Sequence, residues 1–297
     1  MVEKKRIEWI DICKGILIIT IVLMHISFSF WNDNTIGKYF GNLTSLYKVS
    51  IFFCVAGLTI KEERLKDIKT FILRKLKTLY SKMIVIGLVA VLLHNSFIKL
   101  GFYKNGADYA GKKMYLYHPI NFIKQSLFTI FMANREVIIG PMWYAYVLFM
   151  ALVILAIINK ILLIIIKNDG NVRIIRLFVT ISLMLISSLL TNVFHITIPR
   201  FNNTLTAVFL IDLCNFLYKY MKFKFNNIYF FIGCTLLFLN LPLYGYFSMN
   251  NNYFVNPAYL LAVSVTGMYV LYFISHKIAN SGISKVLSYI GRQSFWI

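Results

Sequence analysis

Charge is scarce in this sequence. Only 14% of its 297 residues are charged, and 11 acidic residues face 31 Lys and Arg. An ordinary soluble domain carries roughly 25% charged residues, so that class is excluded. Proline is scarcer still: five in all, none inside the first three apolar segments. Helices broken at matched positions, a mark of many transporters, are therefore weakly represented. The four cysteines (Cys13, Cys54, Cys214, Cys234) lie in or beside apolar runs without ligand-like spacing. They read as free thiols acting as small hydrophobes, neither a disulfide framework nor a metal site. The sequence also lacks His-x-x-x-His pairs, low-complexity tracts, a clear internal repeat and repeated small-xxx-small patterns.

What fills the chain is apolar. Hydrophobic residues make up 59% of it, and the mean hydropathy is +0.70. A membrane helix needs about 20 apolar residues. Windows near 9–30, 44–60, 79–98, 138–158, 177–198, 204–220, 228–248 and 257–276 approach that length, and a further apolar stretch begins near Val286 and meets the chain end at Ile297. The expected fold is an all-α polytopic transmembrane bundle of about nine spans, one domain over 1–297, with the last helix incomplete. Residues 121–133 are apolar but short, which predicts an interfacial or re-entrant helix. The opening "MVEKKR" precedes a run too long for a signal peptide, with no small-residue cleavage site after it, so it reads as a retained first helix.

The net charge of +20 would suggest nucleic acid in a soluble protein. Here its distribution matters more. With the N-terminus inside, the inner segments hold twenty Lys and Arg, eight of them in 61–82, and the outer segments nine. That asymmetry predicts a cytoplasmic N-terminus. No nucleic-acid partner is expected.

Ionisable residues at bilayer depth cost about 2.5–3.5 kcal/mol each on insertion scales, and those that persist usually mark function. Lys14 and His25 are eleven positions apart, about three helical turns, so they share a face roughly 16 Å apart along the axis. Asp11, one turn before Lys14, lies on the same stripe. Each also has a plainer reading: Asp11 and Lys14 as an interfacial ion pair, His25 as a hydrogen-bonded core histidine. Asp212 is the buried-span carboxylate without an evident partner, with Lys14 or Lys48 as candidates. His94, His118, His195 and His276 show no ligand spacing and are given no role.

The segment "WIDICKGILIITIVLMH" (9–25), with a basic residue, ten residues and then histidine, resembles the membrane acyltransferase-3 family. "SIFFCVAGL" (50–58) is similar to that family's Phe-rich stretch, "FILRKLKTLY" (71–80) to its basic Arg-x-x-Arg loop, "GPMWYAYVLF" (140–149) to its Trp-Phe-Leu helix start, and "LSYIGRQSFWI" (287–297) to the start of its last helix. The departures are Lys77 for the second Arg of the loop, Lys48 and Ser50 for a His and Pro, and Ala56 for the Ser of Ser-Gly. No Glu follows Trp143 as in one large subgroup, which points to the smaller, single-domain type.

The resemblance implies about ten spans and an integral O-acyltransferase of a bacterial plasma membrane. Such an enzyme takes an acyl group, acetyl first among them, from cytoplasmic acyl-CoA to a hydroxyl of a surface glycan or its lipid-linked precursor. It needs membrane lipid around it and no metal. His25 would be general base or nucleophile, with Lys14 and Asp11 at the mouth of the path. Arg74 and Lys77 would hold the donor's phosphates. Charge alone reads their loop as plain positive-inside topology. Lys48, Trp143 and Tyr146 would contact the acceptor. For Lys48 the rival reading is an interfacial anchor; for Trp143, Tyr144 and Tyr146 it is the ordinary aromatic belt, which suits at least two of the three. The alternative functions are a multi-helix transporter or flippase for a glycan or anionic substrate, and a non-catalytic membrane module.

Overall fold

The computed structural model describes residues 7–30, 39, 49–109, 112–132, 136–166, 168–198, 200–221, 225–240, 248–254 and 256–293. In hydrocarbon every backbone polar group must be paired within the segment, and these long Ile-, Leu- and Phe-rich runs accordingly form helices. Helix α1 spans Glu8–Phe30 and opens with Glu8 and Asp11, acids that suit the positive end of the helix dipole. Then come α2 (Val49–Leu58) and the short α3 (Glu62–Lys66). α4 (Ile68–Lys75) starts where the Asp67 side chain accepts the Thr70 N–H at 3.2 Å. A π-helical turn, Leu76–Tyr80, carries α4 into α5 (Ser81–Lys99), making one helix of 32 residues. The basic segment expected as a loop is therefore helical: without Pro or Gly between residues 68 and 86, nothing interrupts the backbone ladder.

The remaining helices are α6 (Pro119–Met132), α7 (Trp143–Ile165), α8 (Asp169–Ser188), α9 (Phe201–Phe216), α10 (Asn227–Thr235), α11 (Pro257–Ile278) and α12 (Gly282–Arg292). Asn168 and Asn256 cap α8 and α11 through their side chains. Among the described residues the only strand pairing is a two-residue ladder, Asp108–Tyr109 with Lys112–Lys113, and a single bridge, Ser248 with Tyr253.

Among the described residues, four helices are long and apolar enough to cross a membrane: Ile68–Lys99, Trp143–Ile165, Asp169–Val193 and Pro257–Ile278. Helix α9 lies inside the bundle. Every residue from Asn202 to Asp212 is buried. A helix buried all round carries polar side chains for its protein neighbours rather than apolar ones for lipid. α7 and α8 flank it, and α2 meets it where a Cβ on Gly57 would overlap the Ile211 carbonyl. The shared core includes Leu17, Phe53, Leu152, Leu155, Phe209 and Leu260.

α6 descends beside α5. Tyr117, just before α6, exchanges hydrogen bonds with Asn95 (3.0 and 2.6 Å). Further along, Thr129 fills the notch at Gly87, and the Tyr80 hydroxyl donates to the Ile130 carbonyl. The helix thus runs back along α5.

Candidate functional site

The first helix is seated against α11 and α12. A Cβ on Gly15 would overlap the Leu287 carbonyl, and one on Gly291 the Asp11 carbonyl. Two glycines from opposite ends of the chain thus let the backbones touch, a packing mode that suits helices in lipid. The Cys13 thiol donates to Ser275 Oγ at 3.0 Å. Trp9 packs edge-on to Tyr272 and over His276, with ring centroids 5.3 and 4.6 Å away.

Within this frame Asp11 is buried, and Lys14 Nζ lies 3.9 Å from its Oδ1, with the Lys14 side chain 29% exposed. Asp11 and Lys14 are therefore paired at the same end as Trp9 and His276. His25 lies on the same unbroken helix, and its side chain falls outside the described residues, as does all of Lys48. Arg74 and Lys77 stand exposed on the α4 side of the 32-residue helix, three positions apart and so on neighbouring turns.

The aromatic residues at the start of α7 each have a neighbour within the protein. Trp143 is buried with the Arg200 guanidinium 5.4 Å from its ring. Tyr144 packs on Phe52 and Phe53. Tyr146 donates to the Phe131 carbonyl at 2.9 Å. The three side chains pack against three different neighbours, and Trp143 and Tyr146, three positions apart, lie on neighbouring turns of one face.

Lys48 lies outside the described residues, and Asp212 does not pair with Lys14. Its partner is Arg176 of α8, whose Nε lies 2.8 Å from Asp212 Oδ1. The same guanidinium makes a fork to Glu62 (2.9 and 3.0 Å) and reaches Asn159 Oδ1 at 2.6 Å. Lys219 Nζ stands 3.9 Å from Glu62. The reason sequence reasoning missed it is plain: Arg176 is the fourth basic residue after Asn159 and reads as the tail of an inner loop, whereas α8 begins seven residues earlier at Asp169 and carries Arg176 inside, 2% exposed. Burial raises the Glu62 carboxyl, but the hydrogen bonds and charge of Arg176, helped by Lys219 and Arg173, outweigh it and hold Glu62 below the ordinary glutamate range.

A second polar cluster closes the far end of α5. His94 and Glu136 are both fully buried, His94 Nδ1 lying 3.0 Å from Glu136 Oε2 and His94 Nε2 3.0 Å from the Tyr115 carbonyl. Tyr117 stacks on His94 with centroids 3.5 Å apart and donates its hydroxyl to Glu136. Burial, then the hydrogen bond and charge of Glu136, push the Tyr117 phenol up, so it stays a donor. A carbonyl can only accept, so Nε2 carries hydrogen, and His94 and Glu136 share one proton between them. The sequence offered one signal for this pair: a histidine inside an apolar run.

Neither a curated protein nor a solved structure matches the chain. The family model for the acyltransferase domain does match it, over residues 7–297, with α1, the basic helix, the start of α7 and α12 all inside that range. The chain belongs to the membrane acyltransferase-3 family.

Proposed function

We propose that this acyltransferase moves an acetyl group from cytoplasmic acetyl-CoA to a hydroxyl of an extracytoplasmic carbohydrate or its lipid-linked precursor. The observation that carries the reading is the unbroken course of α1 from Glu8 to Phe30. Over that helix the eleven residues from Lys14 to His25 measure about 16 Å, comparable to an extended pantetheine arm. The thioester would reach the outer half of the membrane while the nucleotide stays at the basic end.

On this reading Arg74 and Lys77, exposed on their helix, hold the donor's phosphates. Lys14, held by Asp11, neutralises the donor at the mouth of the path. His25 takes the proton of the acceptor hydroxyl. The hydroxyl oxygen then forms its bond to the acyl carbon, and the carbon–sulfur bond breaks, leaving CoA thiolate. Trp143, backed by Arg200, supplies a surface for a sugar ring, and Lys48 a cation near the acceptor. The N-terminus is cytoplasmic and the membrane is a bacterial plasma membrane.

Labelled acetyl-CoA supplied to the cytoplasmic face of membrane vesicles tests this, with wild type and His25→Ala at matched expression. Label should pass to glycan in the wild type and fall by roughly 10²- to 10⁴-fold in the alanine variant, the range of a lost general base. Equal transfer by both proteins would remove His25 from the mechanism.

A further inference from the structure

The cluster around Arg176 lies outside the path from Lys14 to His25, yet it joins the bundle to the helix bearing Arg74 and Lys77. We infer that Arg176 is a positioning residue for the acyl donor, acting through Glu62. The inference rests on the reading of Arg74 and Lys77 as phosphate ligands.

The two carboxylates on Arg176 have different tasks. Asp212, itself hydrogen-bonded by Thr180 at 3.3 Å, ties α8 to α9 within the bundle. Glu62 ties α8 to α3, the five-residue helix that leads through Asp67 into Ile68–Lys99. A helix of five residues does not hold itself in place. Its position comes from its anchors: Leu65 in the core, the Lys66–Asp169 ion pair at 2.6 Å on the surface, and the Glu62 fork underneath.

From Glu62 to Arg74 the chain is helical except at Asp67, and Asp67 caps the next helix. The orientation of Arg74 and Lys77 is therefore inherited from α3. The charges are matched for this purpose, since Arg176 with two carboxylates would leave a buried excess of negative charge and Lys219 supplies the second cation. A lysine at 176 would be a point charge without the planar fork that fixes Glu62.

The two contacts separate experimentally. Glu62→Gln keeps the Arg176–Asp212 pair and loosens α3 alone. The test is binding of coenzyme A to the purified full chain, with hydrogen exchange followed over 61–80 and folded fraction checked by thermal unfolding. Glu62→Gln should stay folded, exchange faster at 61–67 and bind coenzyme A about ten- to a hundredfold more weakly, as expected when a charge-assisted contact no longer populates the competent arrangement. Arg176→Lys should weaken binding in the same direction. If Glu62→Gln does not accumulate, Glu62→Asp keeps the charge, shortens the reach and allows the same comparison. Unchanged affinity and exchange in these variants, with weakened binding in Arg74→Gln, overturns the inference and leaves the function reading standing. Unchanged affinity in Arg74→Gln and Lys77→Gln, or no binding by wild type, removes the donor site and the inference with it.

Discussion

Arg176 shows how much a single residue can depend on its partners. Its guanidinium is surrounded by Glu62, Asn159 and Asp212, and losing one partner leaves a buried charge uncompensated. Removing one member of such a pair typically costs about 3–5 kcal/mol. Asp212→Asn should therefore lower the thermal unfolding temperature sharply, while Arg176→Met combined with both Asp212→Leu and Glu62→Met should recover much of the loss, as a comparison of the variants in detergent would report. Glu62 adds a pH dependence. Its folded carboxyl lies below its ordinary value, so its stabilisation is complete above roughly pH 4 and disappears as pH falls through the lower folded value. Unfolding temperatures of wild type and Glu62→Gln should converge in acid and separate above that range. From the sequence, Asp212 stood out as a carboxylate needing a partner, but the partner did not, because a basic residue near a helix start looks like any inner-loop cation.

At the scale of elements, the first helix was legible because an uninterrupted apolar run folds as one helix, Glu8–Phe30. The contact that seats α1 was not. Gly15 and Gly291 are 276 positions apart, and no local pattern announces that they meet. Replacing Gly291 with Val should force α1 and α12 apart, at a cost of at least about 1–3 kcal/mol from overpacking. Limited proteolysis of detergent-purified protein should then cut more readily after Ile278. That α6 is a short helix was legible from its apolar run, and its fourteen residues do not span a bilayer. The buried His94–Glu136 pair that closes the end of α5 was not, because Glu136 is brought there by the return of the chain after α6.

For the whole molecule, composition alone identified a helical membrane protein. Composition does not tell a helix that faces lipid from one enclosed by protein, as α9 is. The basic character of the end that carries Arg64, Lys69, Arg74, Lys75 and Lys77 has a measurable result on the proposed reading. Screening at about 1 M salt shortens the Debye length to roughly 3 Å, so acyl-CoA affinity should fall with ionic strength while the thermal stability from buried contacts stays nearly constant. A titration at two salt concentrations checks it.

The embrace of α1 by α12 also sets an order of events during synthesis. The helix with the proposed reactive stripe is made well before the helix it packs on, α12. Until residues 282–292 arrive, α1 has one flank open, and the Asp11–Lys14 pair stands beside an unfilled gap. Contacts of such long sequence separation form late and slowly. On the proposed reading, a nascent chain that has not yet reached α12 lacks the seat of the helix that carries Lys14 and His25.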